Sequence, residues 1–197
     1  MPKVVDHEER RTELAAAVWR LASRDGLEAV TVRRVAEEAG WSTGAVVHYF
    51  ADKEDLMLFA FRTGADRVGR RLAEFDERES DPLERARRQL LEGLPLDRDR
   101  KDEVRVWFSF LGLALTRPAL ARAQRVAYRA WRDRIAERLR EAQEEGKVRA
   151  GADCAAEAAA LVGLVDGLAI QATFEPRGLS AARQVELVDA CLDQLRA

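Results

Sequence analysis

Hydrophobic residues in the first part of the chain recur every three or four positions, as they do on one face of an α-helix. Leu14, Val18 and Leu21 follow this spacing, and Asp25-Gly26 ends it. Residues suited to cap helices then appear at short intervals. The predicted helices run over residues 6–24 with a capping box at Asp6 and Glu9, from Thr31 to Ala39, from Ser42 to about Phe50, and from Asp52 to about Glu77.

The rest of the chain shows the same start and stop signals around longer helices. Asp81-Pro82 combines an N-cap with proline at the first helical position. The predicted helices here run from Asp81 to about Leu94, from the charged stretch Asp97–Glu103 to Pro118, from Pro118 to Glu145, from Asp153 to about Phe174, and from Ser180 to Leu195. Ala, Leu, Arg and Glu, which favour helices, dominate the composition. The expected fold is all-α, with nine helices.

Length and composition are those of a globular protein. The chain has 197 residues, of which 47% are hydrophobic and 35% charged, so it can bury a core without disulfides or metal. Its 33 basic and 35 acidic residues give a net charge of −2. The sequence therefore offers no global basic field, and any contact with DNA must be local.

Several features favour a cytoplasmic protein. Cys154 and Cys191 lie in apolar helical stretches without CxxC spacing, which is typical of buried free thiols. Residues 1–11 are polar and do not resemble a signal peptide. The longest apolar run, Ala158–Ala172, contains Asp166 and is judged too short to cross a bilayer. We therefore expect no membrane association.

The most informative stretch covers residues 31–53, where two short predicted helices are joined by Gly40. Inward-facing apolar positions on the two helices are Val35, Ala36 and Ala39, then Val46 and Phe50. This pattern is typical of a helix-turn-helix motif, whose second helix presents its first residues to the major groove. Small side chains there let the backbone approach base edges. Ser42, Thr43, Gly44 and Ala45 fit that requirement.

Polar groups follow at the end of the predicted recognition helix. His48, Tyr49 and Lys53 bring two hydrogen-bonding aromatic groups and one cation to the positions where donors hold phosphates beside the groove. Each has an alternative interpretation, because His48 alone is more often a surface imidazole and Tyr49 is compatible with a half-buried core position. Two short helices around a glycine also occur in ordinary helical bundles. The clustering of these groups favours DNA binding.

The block from Thr31 to Leu56 resembles the DNA-binding signature of the TetR family of bacterial transcriptional repressors. The helix count agrees with that family as well. The resemblance implies three N-terminal helices that bind operator DNA, followed by six helices for ligand binding and dimerisation. It divides the chain into residues 1–54, the DNA-binding domain, and residues 55–197, the ligand-binding and dimerisation domain.

The resemblance also implies roles for single residues. Thr31 matches a capping position that touches the DNA backbone, and Arg33 matches a helix-two residue that reaches a base or phosphate. The implied base-reading residues are Thr43, Gly44 and Ala45 after the cap Ser42, and the implied phosphate-binding residues are His48, Tyr49 and Lys53. The chain departs from the family at Val47, where many members have a phosphate-binding tyrosine. Trp41 is larger than usual and is expected to pack against the first helix. Arg10 and Arg11 are candidates for phosphate contacts from that helix, but solvated surface is their expected role.

The second domain contains candidates for an effector site, which the resemblance implies lies among its helices. The candidate ligand-binding residues are Trp107, Phe110, Trp131, Asp166, Gln171 and Phe174. Aromatic residues at helical spacing are more often core, so this alternative stays open. Asp166 is either a counter-charge for a ligand or a hydrogen-bond partner between helices. The segment Leu164–Gln171 resembles members with a betaine-regulator type C-terminal half, some of which respond to choline-like cations.

The resulting hypothesis is a ligand-responsive transcriptional repressor. It binds palindromic operator DNA as a homodimer and is released by a small-molecule effector of unknown identity. Helices eight and nine carry small and apolar residues that suit either intramolecular core or a two-fold interface. One alternative is a helical small-molecule carrier or enzyme with an incidental helix-turn-helix hairpin. Against an enzyme, the chain has only two histidines and no catalytic-triad, metal-ligand or phosphate-loop spacing. We therefore expect no catalytic residues, metal or cofactor. Another alternative is a structural dimer that does not bind DNA.

Overall fold

The computed structural model describes residues 7–197. Within that range the chain forms nine α-helices and no strand beyond a single bridge between Val148 and Arg196, which confirms the predicted fold class. The helices are α1 (His7–Asp25), α2 (Val32–Ala39), α3 (Thr43–Tyr49), α4 (Lys53–Asp76), α5 (Pro82–Glu92), α6 (Arg98–Ala114), α7 (Pro118–Glu144), α8 (Cys154–Phe174) and α9 (Ala181–Asp193). A short 3-10 helix, Leu27–Ala29, was not predicted and follows α1.

Predicted caps fix most helix starts. Asp153 accepts hydrogen bonds from the backbone N–H groups of Ala155 and Ala156 at 3.0 and 3.1 Å, and so begins α8. The predicted caps Thr31, Ser42, Asp52, Asp81 and Ser180 each accept a backbone N–H in the same way. These bonds satisfy donors that a helix leaves free at its first turn. The proposed cap Asp6 lies outside the described residues.

Three helices end earlier than predicted. α5 ends at Glu92 instead of Leu94, α6 at Ala114 instead of Pro118, and α9 at Asp193 instead of Leu195. In each case the chain continues in tighter turns, in which the N–H groups of Leu94, Leu115 and Leu195 donate to carbonyls three residues back. Such turns are common where an α-helix unwinds, and hydrophobic spacing does not distinguish them from the helix itself.

The chain divides into two compact units that are interleaved in sequence. Unit 1 comprises the residues up to Arg67 together with Arg105–Gln124, and unit 2 comprises Val68–Val104 together with Arg125–Ala197. Unit 1 therefore extends beyond the predicted boundary at residue 54 and takes in a second segment. Three helices, α4, α6 and α7, contribute residues to both units.

Each unit has its own apolar core. In unit 1 the buried side chains include Leu14, Val18, Leu21, Val35, Val46, Phe50 and Leu56. In unit 2 they include Leu90, Ile135, Leu139, Ala158, Val162, Val165 and Val188. These residues follow the helical spacing read from the sequence, and their burial supplies the hydrophobic free energy that holds each unit together.

Helix α8 corrects one prediction. The apolar run Ala158–Ala172 was judged too short to span a membrane, but the helix that contains it has 21 residues and is long and apolar enough by length and composition. The core helix of a soluble protein passes the same test, and Leu161, Val162 and Val165 are buried inside unit 2. Both cysteines are free thiols. Cys154 is buried as predicted, whereas Cys191 is only half-buried.

Candidate functional site

A helix-turn-helix is built from α2, α3 and the turn between them. Gly40 ends α2 in the left-handed conformation, with φ 72° and ψ 30°, which an L side chain adopts only at a cost. The next N–H, that of Trp41, donates to the Ala36 carbonyl at 2.8 Å and closes the helix end. The chain can therefore reverse within three residues and start α3.

The first turn of α3 offers a surface with little side-chain bulk. The Ser42 hydroxyl accepts the Ala45 N–H at 3.1 Å and fixes the helix start. Thr43 and Gly44 are exposed and Ala45 is half-buried, whereas Val46 and Phe50 on the opposite side are 1% and 3% exposed. The structure thus separates an inner apolar face from an outer face of small residues, which is the arrangement that lets a helix enter a groove closely.

An aromatic cluster surrounds Tyr49 at the other end of α3. The Tyr49 ring lies 4.6 Å from the His7 ring, 5.3 Å from the His48 ring and 5.5 Å from the Trp41 ring, measured between centroids. Tyr49 is half-buried and His48 is exposed. Lys53 is exposed in the first turn of α4. The two histidines, far apart in sequence, thus lie beside the same tyrosine.

The arginines near the motif differ in their surroundings. The Arg33 side chain is 82% exposed and pairs with Glu37 at 2.9 Å, one helical turn away. Arg10 lies over the Trp41 ring at 5.0 Å, which confirms that Trp41 packs against α1. Arg11 lies 4.2 Å from the Phe59 ring and 4.9 Å from the Phe50 ring. Both arginines are half-buried, so the expectation that Arg10 and Arg11 are solvated is wrong.

Two candidate effector residues, Trp107 and Phe110, belong to unit 1. Their rings lie 5.2 and 5.9 Å from the ring of Trp19, a buried residue of α1. Trp19 also donates its indole N–H to the Ala60 carbonyl of α4 at 2.8 Å. Phe110 is only 1% exposed. These aromatic side chains pack α1, α4 and α6 against one another, in agreement with the alternative that they form core.

Two other candidates, Trp131 and Asp166, belong to unit 2 and lie beside Tyr128. The Tyr128 and Trp131 rings are stacked at 6.4 Å with an interplanar angle of 14°. Burial raises the pKa of the Asp166 carboxyl, and a hydrogen bond from the Tyr128 hydroxyl acts in the opposite direction. Burial and the same hydrogen bond raise the pKa of the Tyr128 phenol. The structure therefore places Asp166 as a hydrogen-bond partner between α7 and α8, and its partner Tyr128 stacks with Trp131.

Gly93 adjoins this group and was missed from the sequence. A Cβ added at Gly93 would lie 2.8 Å from Val165 Cγ1 and 3.1 Å from Trp131 Cη2, so only glycine allows this approach. Tyr128 was likewise not predicted as a site residue. Its spacing of three from Trp131, which puts both rings on one face of α7, was the available signal.

The remaining two candidates lie on the outside of α8. Gln171 is exposed and Phe174 is 80% exposed, so neither lies with Trp131 and Asp166 in the interior of unit 2. Small residues precede them on the exposed part of the same helix, namely Ala156, Ala159, Ala160 and Gly163. In α9, by contrast, Val188 is buried, and so is Leu195, just beyond its end; both form part of the core. Among residues 7–197, no three metal-ligating side chains are arranged to hold an ion.

Comparison with known proteins identifies the class. The family described as "Bacterial regulatory proteins, tetR family" matches residues 14–59, and "BetI-type transcriptional repressor, C-terminal" matches residues 82–197. The chain belongs to the TetR family of bacterial regulatory proteins. Within that family its C-terminal part is of the BetI type, and the protein is a transcriptional regulator.

Individual relatives agree with this assignment. The regulator PksA of Bacillus subtilis is 35% identical over 180 residues, which cover 89% of this chain and 84% of PksA. BetI of Burkholderia mallei is 28% identical over 202 residues, 100% of this chain and 98% of BetI. A transcriptional regulator from Rhodococcus is 33% identical with a TM-score of 0.82, and the match covers 94% of this chain and 95% of that one. A regulator from Saccharomonospora viridis, solved in complex with choline, is 27% identical with a TM-score of 0.86. That match covers 94% of this chain and 96% of the other.

Proposed function

We propose that this regulator is a ligand-responsive repressor, which binds a palindromic operator as a homodimer and leaves it when an effector binds. One observation carries the DNA-binding part: α3 is capped, and its exposed first turn bears Thr43 and Gly44, with no bulky side chain between backbone and solvent. DNA as a partner implies action in the cytoplasm. The relatives are transcriptional regulators, and we expect this chain to act by binding and not by catalysis.

The proposed DNA contacts fall into two groups. Ser42, Thr43, Gly44 and Ala45 face the base edges, where their small size allows close approach. The phosphate contacts come from Thr31, Arg33, His48, Tyr49 and Lys53. Arg33 must exchange its pairing with Glu37 for a phosphate. In the place of the family's usual tyrosine, Val47 is 58% exposed and offers no hydrogen bond, so the neighbouring His48 is the nearest replacement donor.

The proposed dimer forms through α8 and α9. Exposed small residues on α8 would let a second copy approach closely, and Ile170 and Phe174, at 42% and 80% exposed, add apolar surface near the end of the same helix. A dimer is also favoured by the length of α3, which has seven residues and reads only a few base pairs by itself. Two copies related by a two-fold axis read a palindrome.

The proposed effector is a small organic cation bound in unit 2. The stacked rings of Tyr128 and Trp131 offer aromatic faces, and Asp166 offers a counter-charge. The structure of the Saccharomonospora viridis relative in complex with choline supports this ligand class. Trp107 and Phe110 are assigned to the core of unit 1, and Gln171 and Phe174 to the dimer surface.

Alanine substitutions test whether α3 and its flanks bind DNA. Binding to duplex DNA is measured by fluorescence anisotropy over a range of salt concentrations for Thr43→Ala, His48→Ala and Lys53→Ala. Loss of a phosphate contact at Lys53 should weaken binding to every duplex and lower the salt slope by about one. Thr43→Ala should act mainly on sequence preference.

Lys101→Ala is the matched control, because Lys101 is also exposed in the first turns of a helix but belongs to unit 2. The DNA affinity of Lys101→Ala should equal that of the unmodified protein. If all three substitutions leave DNA affinity unchanged, the protein is a carrier or a structural dimer instead of a repressor.

A further inference from the structure

Unit 2 contains a group of polar side chains between α4, α5 and α7, called here the polar cluster. Its members are Asp76 of α4, Arg85 and Gln89 of α5, and Arg134, Arg138 and Glu141 of α7. Arg138 links Asp76 at 3.0 Å to Glu141 at 2.6 Å, and Arg85 lies 3.3 Å from Glu141. None of these six residues belongs to the DNA-binding motif or to the proposed cation site.

The cluster holds most of the buried polar atoms that lack a hydrogen-bond partner. Among the described residues, nine buried side-chain nitrogen and oxygen atoms have none, and seven of them lie here: Asp76 Oδ1, Arg85 Nε, Gln89 Nε2 and Oε1, Arg134 Nε, Arg138 Nε and Glu141 Oε2. Of these, Glu141 Oε2 still forms the ion pair with Arg85. Buried polar groups are normally paired with protein, water or an ion. Their concentration in one place indicates that a polar species, water or ligand, is bound among these side chains.

Gln89 is the clearest member of the cluster. It is 1% exposed, and neither atom of its amide has a partner within the described part of the chain. Gln89 lies one helical turn after Arg85, which contacts Glu141, and one turn before Gly93, which packs on Trp131. Helices α5 and α7 are thus antiparallel here. From its spacing, we infer that Gln89 lies on the side of α5 that contacts α7, at the level of Arg134 and Arg138.

The charge of the cluster has a definite sign. Among these six residues, three guanidinium groups face two carboxylates, which gives the group an excess of one positive charge. Burial lowers the pKa of Arg134, and only the charge of Asp76 opposes this effect. The neighbouring ion-pair group on α4, α5 and α6 is balanced, with two arginines and two glutamates: Arg71, Arg88, Glu92 and Glu103. Unmatched N–H donors also outnumber unmatched acceptors.

We propose that the polar cluster is a binding site for a small monoanion of the carboxylate type, held by the Gln89 amide and the guanidinium groups around it. A carboxylate supplies the missing negative charge and accepts several N–H donors at once. It comes from one of two sources, a free small carboxylate or the acid end of the effector. The second source rests on the proposed function, and it is geometrically reasonable because Arg134 lies one turn, about 4.5 Å along the helix, from Trp131.

Thermal unfolding of the full-length protein without DNA tests the site, with sodium acetate replacing sodium chloride at constant ionic strength. We expect a saturable rise in Tm, about 4 °C or more at about 20 times the Kd. Gln89→Leu should abolish this rise. Gln184→Leu is the matched control, because Gln184 is a second buried glutamine, 2% exposed, in α9, and should keep the full rise.

The Tm values without acetate provide an independent reading. Gln89→Leu removes a buried amide that lacks partners, so its Tm should equal or exceed that of the unmodified protein. A lower Tm together with no acetate effect in the unmodified protein would show that waters or the arginines already satisfy Gln89, and the proposal would fail. Arg134→Met, which keeps the Arg138–Asp76 pair, is the second variant and should also lose the acetate effect.

Two matched compounds distinguish the sources of the carboxylate. The probes are 4-(trimethylammonio)butanoate, whose charges are about one helical turn apart, and its methyl ester, which lacks the negative charge. If the effector supplies the carboxylate, the acid should bind at least tenfold more tightly than the ester and displace acetate, and Gln89→Leu should remove the difference. If the carboxylate is a separate small molecule, the ester and acetate should raise the Tm additively when both are present. Because no DNA is present, failure here is distinct from failure of operator binding.

Discussion

Substitution of Gly44 should change the stability of the protein and its affinity for DNA in opposite directions. A Cβ added there would meet only Ser42 Oγ, at 3.9 Å, so the folded protein has room for it. Alanine favours a helix over glycine by up to about 1 kcal/mol, and Gly44→Ala should therefore raise the free energy of unfolding. The same methyl group would lie on the surface proposed to face the bases. We expect at least a tenfold loss of operator affinity, measured by anisotropy beside urea denaturation.

Gly69→Ala is the control for this substitution. Gly69 lies within α4, and a Cβ added there also meets nothing within 4 Å. This variant should gain the same stability and keep its DNA affinity. Equal DNA affinity for Gly44→Ala and Gly69→Ala would contradict the assignment of Gly44 to the base-reading surface.

Asp166 should make the stability of the folded protein depend on pH. Burial raises its pKa in the folded state, so the folded protein keeps this proton at pH values where the unfolded chain has lost it. The contribution of Asp166 to stability therefore falls as pH rises from the unfolded pKa through the folded one. Asp166→Asn should be more stable than the unmodified protein at pH 7, by a margin that shrinks towards pH 4. Denaturation at several pH values measures this margin.

The same substitution should remove the counter-charge for the effector. With choline as the probe, calorimetry should show about a tenfold weaker affinity for Asp166→Asn, because one ion-pair partner is lost from a partly buried site. Asp133→Asn, at an exposed position of α7, is the control and should bind like the unmodified protein. Undiminished choline binding by Asp166→Asn would exclude Asp166 from the site.

At the scale of elements, packing of α4 against α1 depends on one glycine. A Cβ added at Gly64 would overlap the Trp19 indole, which also donates a hydrogen bond to Ala60 on the previous turn of α4. Gly64→Ala should therefore destabilise the protein by about 2 kcal/mol or more, despite the gain in helix propensity. Its effect has the opposite sign to that of Gly69→Ala in the same helix. Urea denaturation of both variants checks the contrast, and a stabilised Gly64→Ala would show that the indole moves freely.

The sequence allowed the elements to be predicted because their signals are local. Caps such as Thr31, Ser42 and Asp153 act within three residues of their helix starts, and the structure shows each of them accepting the expected N–H. The small outer residues and the apolar inner residues of α3 could be recognised for the same reason.

Relations between distant elements could not be predicted in the same way. Trp107 has the helical spacing of a core or pocket residue, but only the fold shows that it packs on Trp19 in unit 1. The polar cluster depends on three helices whose charged residues, read along the chain, resemble ordinary solvated faces. Gln89 in particular carries no sequence signal that its amide is buried without partners.

At the scale of the whole molecule, the proposed function requires two copies that dimerise through α8 and α9. Gly163 is exposed in the middle of α8, and a Cβ added there meets nothing within the chain. Gly163→Arg should leave the protein folded but give a monomer in light scattering, because a large charged side chain would lie in the proposed interface. Operator affinity should fall by about 100-fold or more, since each copy reads one half-site.

Gly112→Arg is the control for the dimer. Gly112 is likewise exposed and helical with open space around it, but it lies in α6. This variant should remain dimeric. A dimeric Gly163→Arg protein with full operator affinity would place the interface elsewhere on the molecule.

The most direct test of the account is selection of binding sites from a random pool of duplex DNA, at a stated salt concentration because phosphate contacts make affinity depend on salt. We expect the folded protein to enrich one motif whose two halves are inverted repeats, with centres about one helical turn apart or a multiple of it. Gly163→Arg should not enrich this motif. Failure of the folded, dimeric protein to enrich any motif would contradict the proposed function and indicate a protein that binds small molecules without reading DNA.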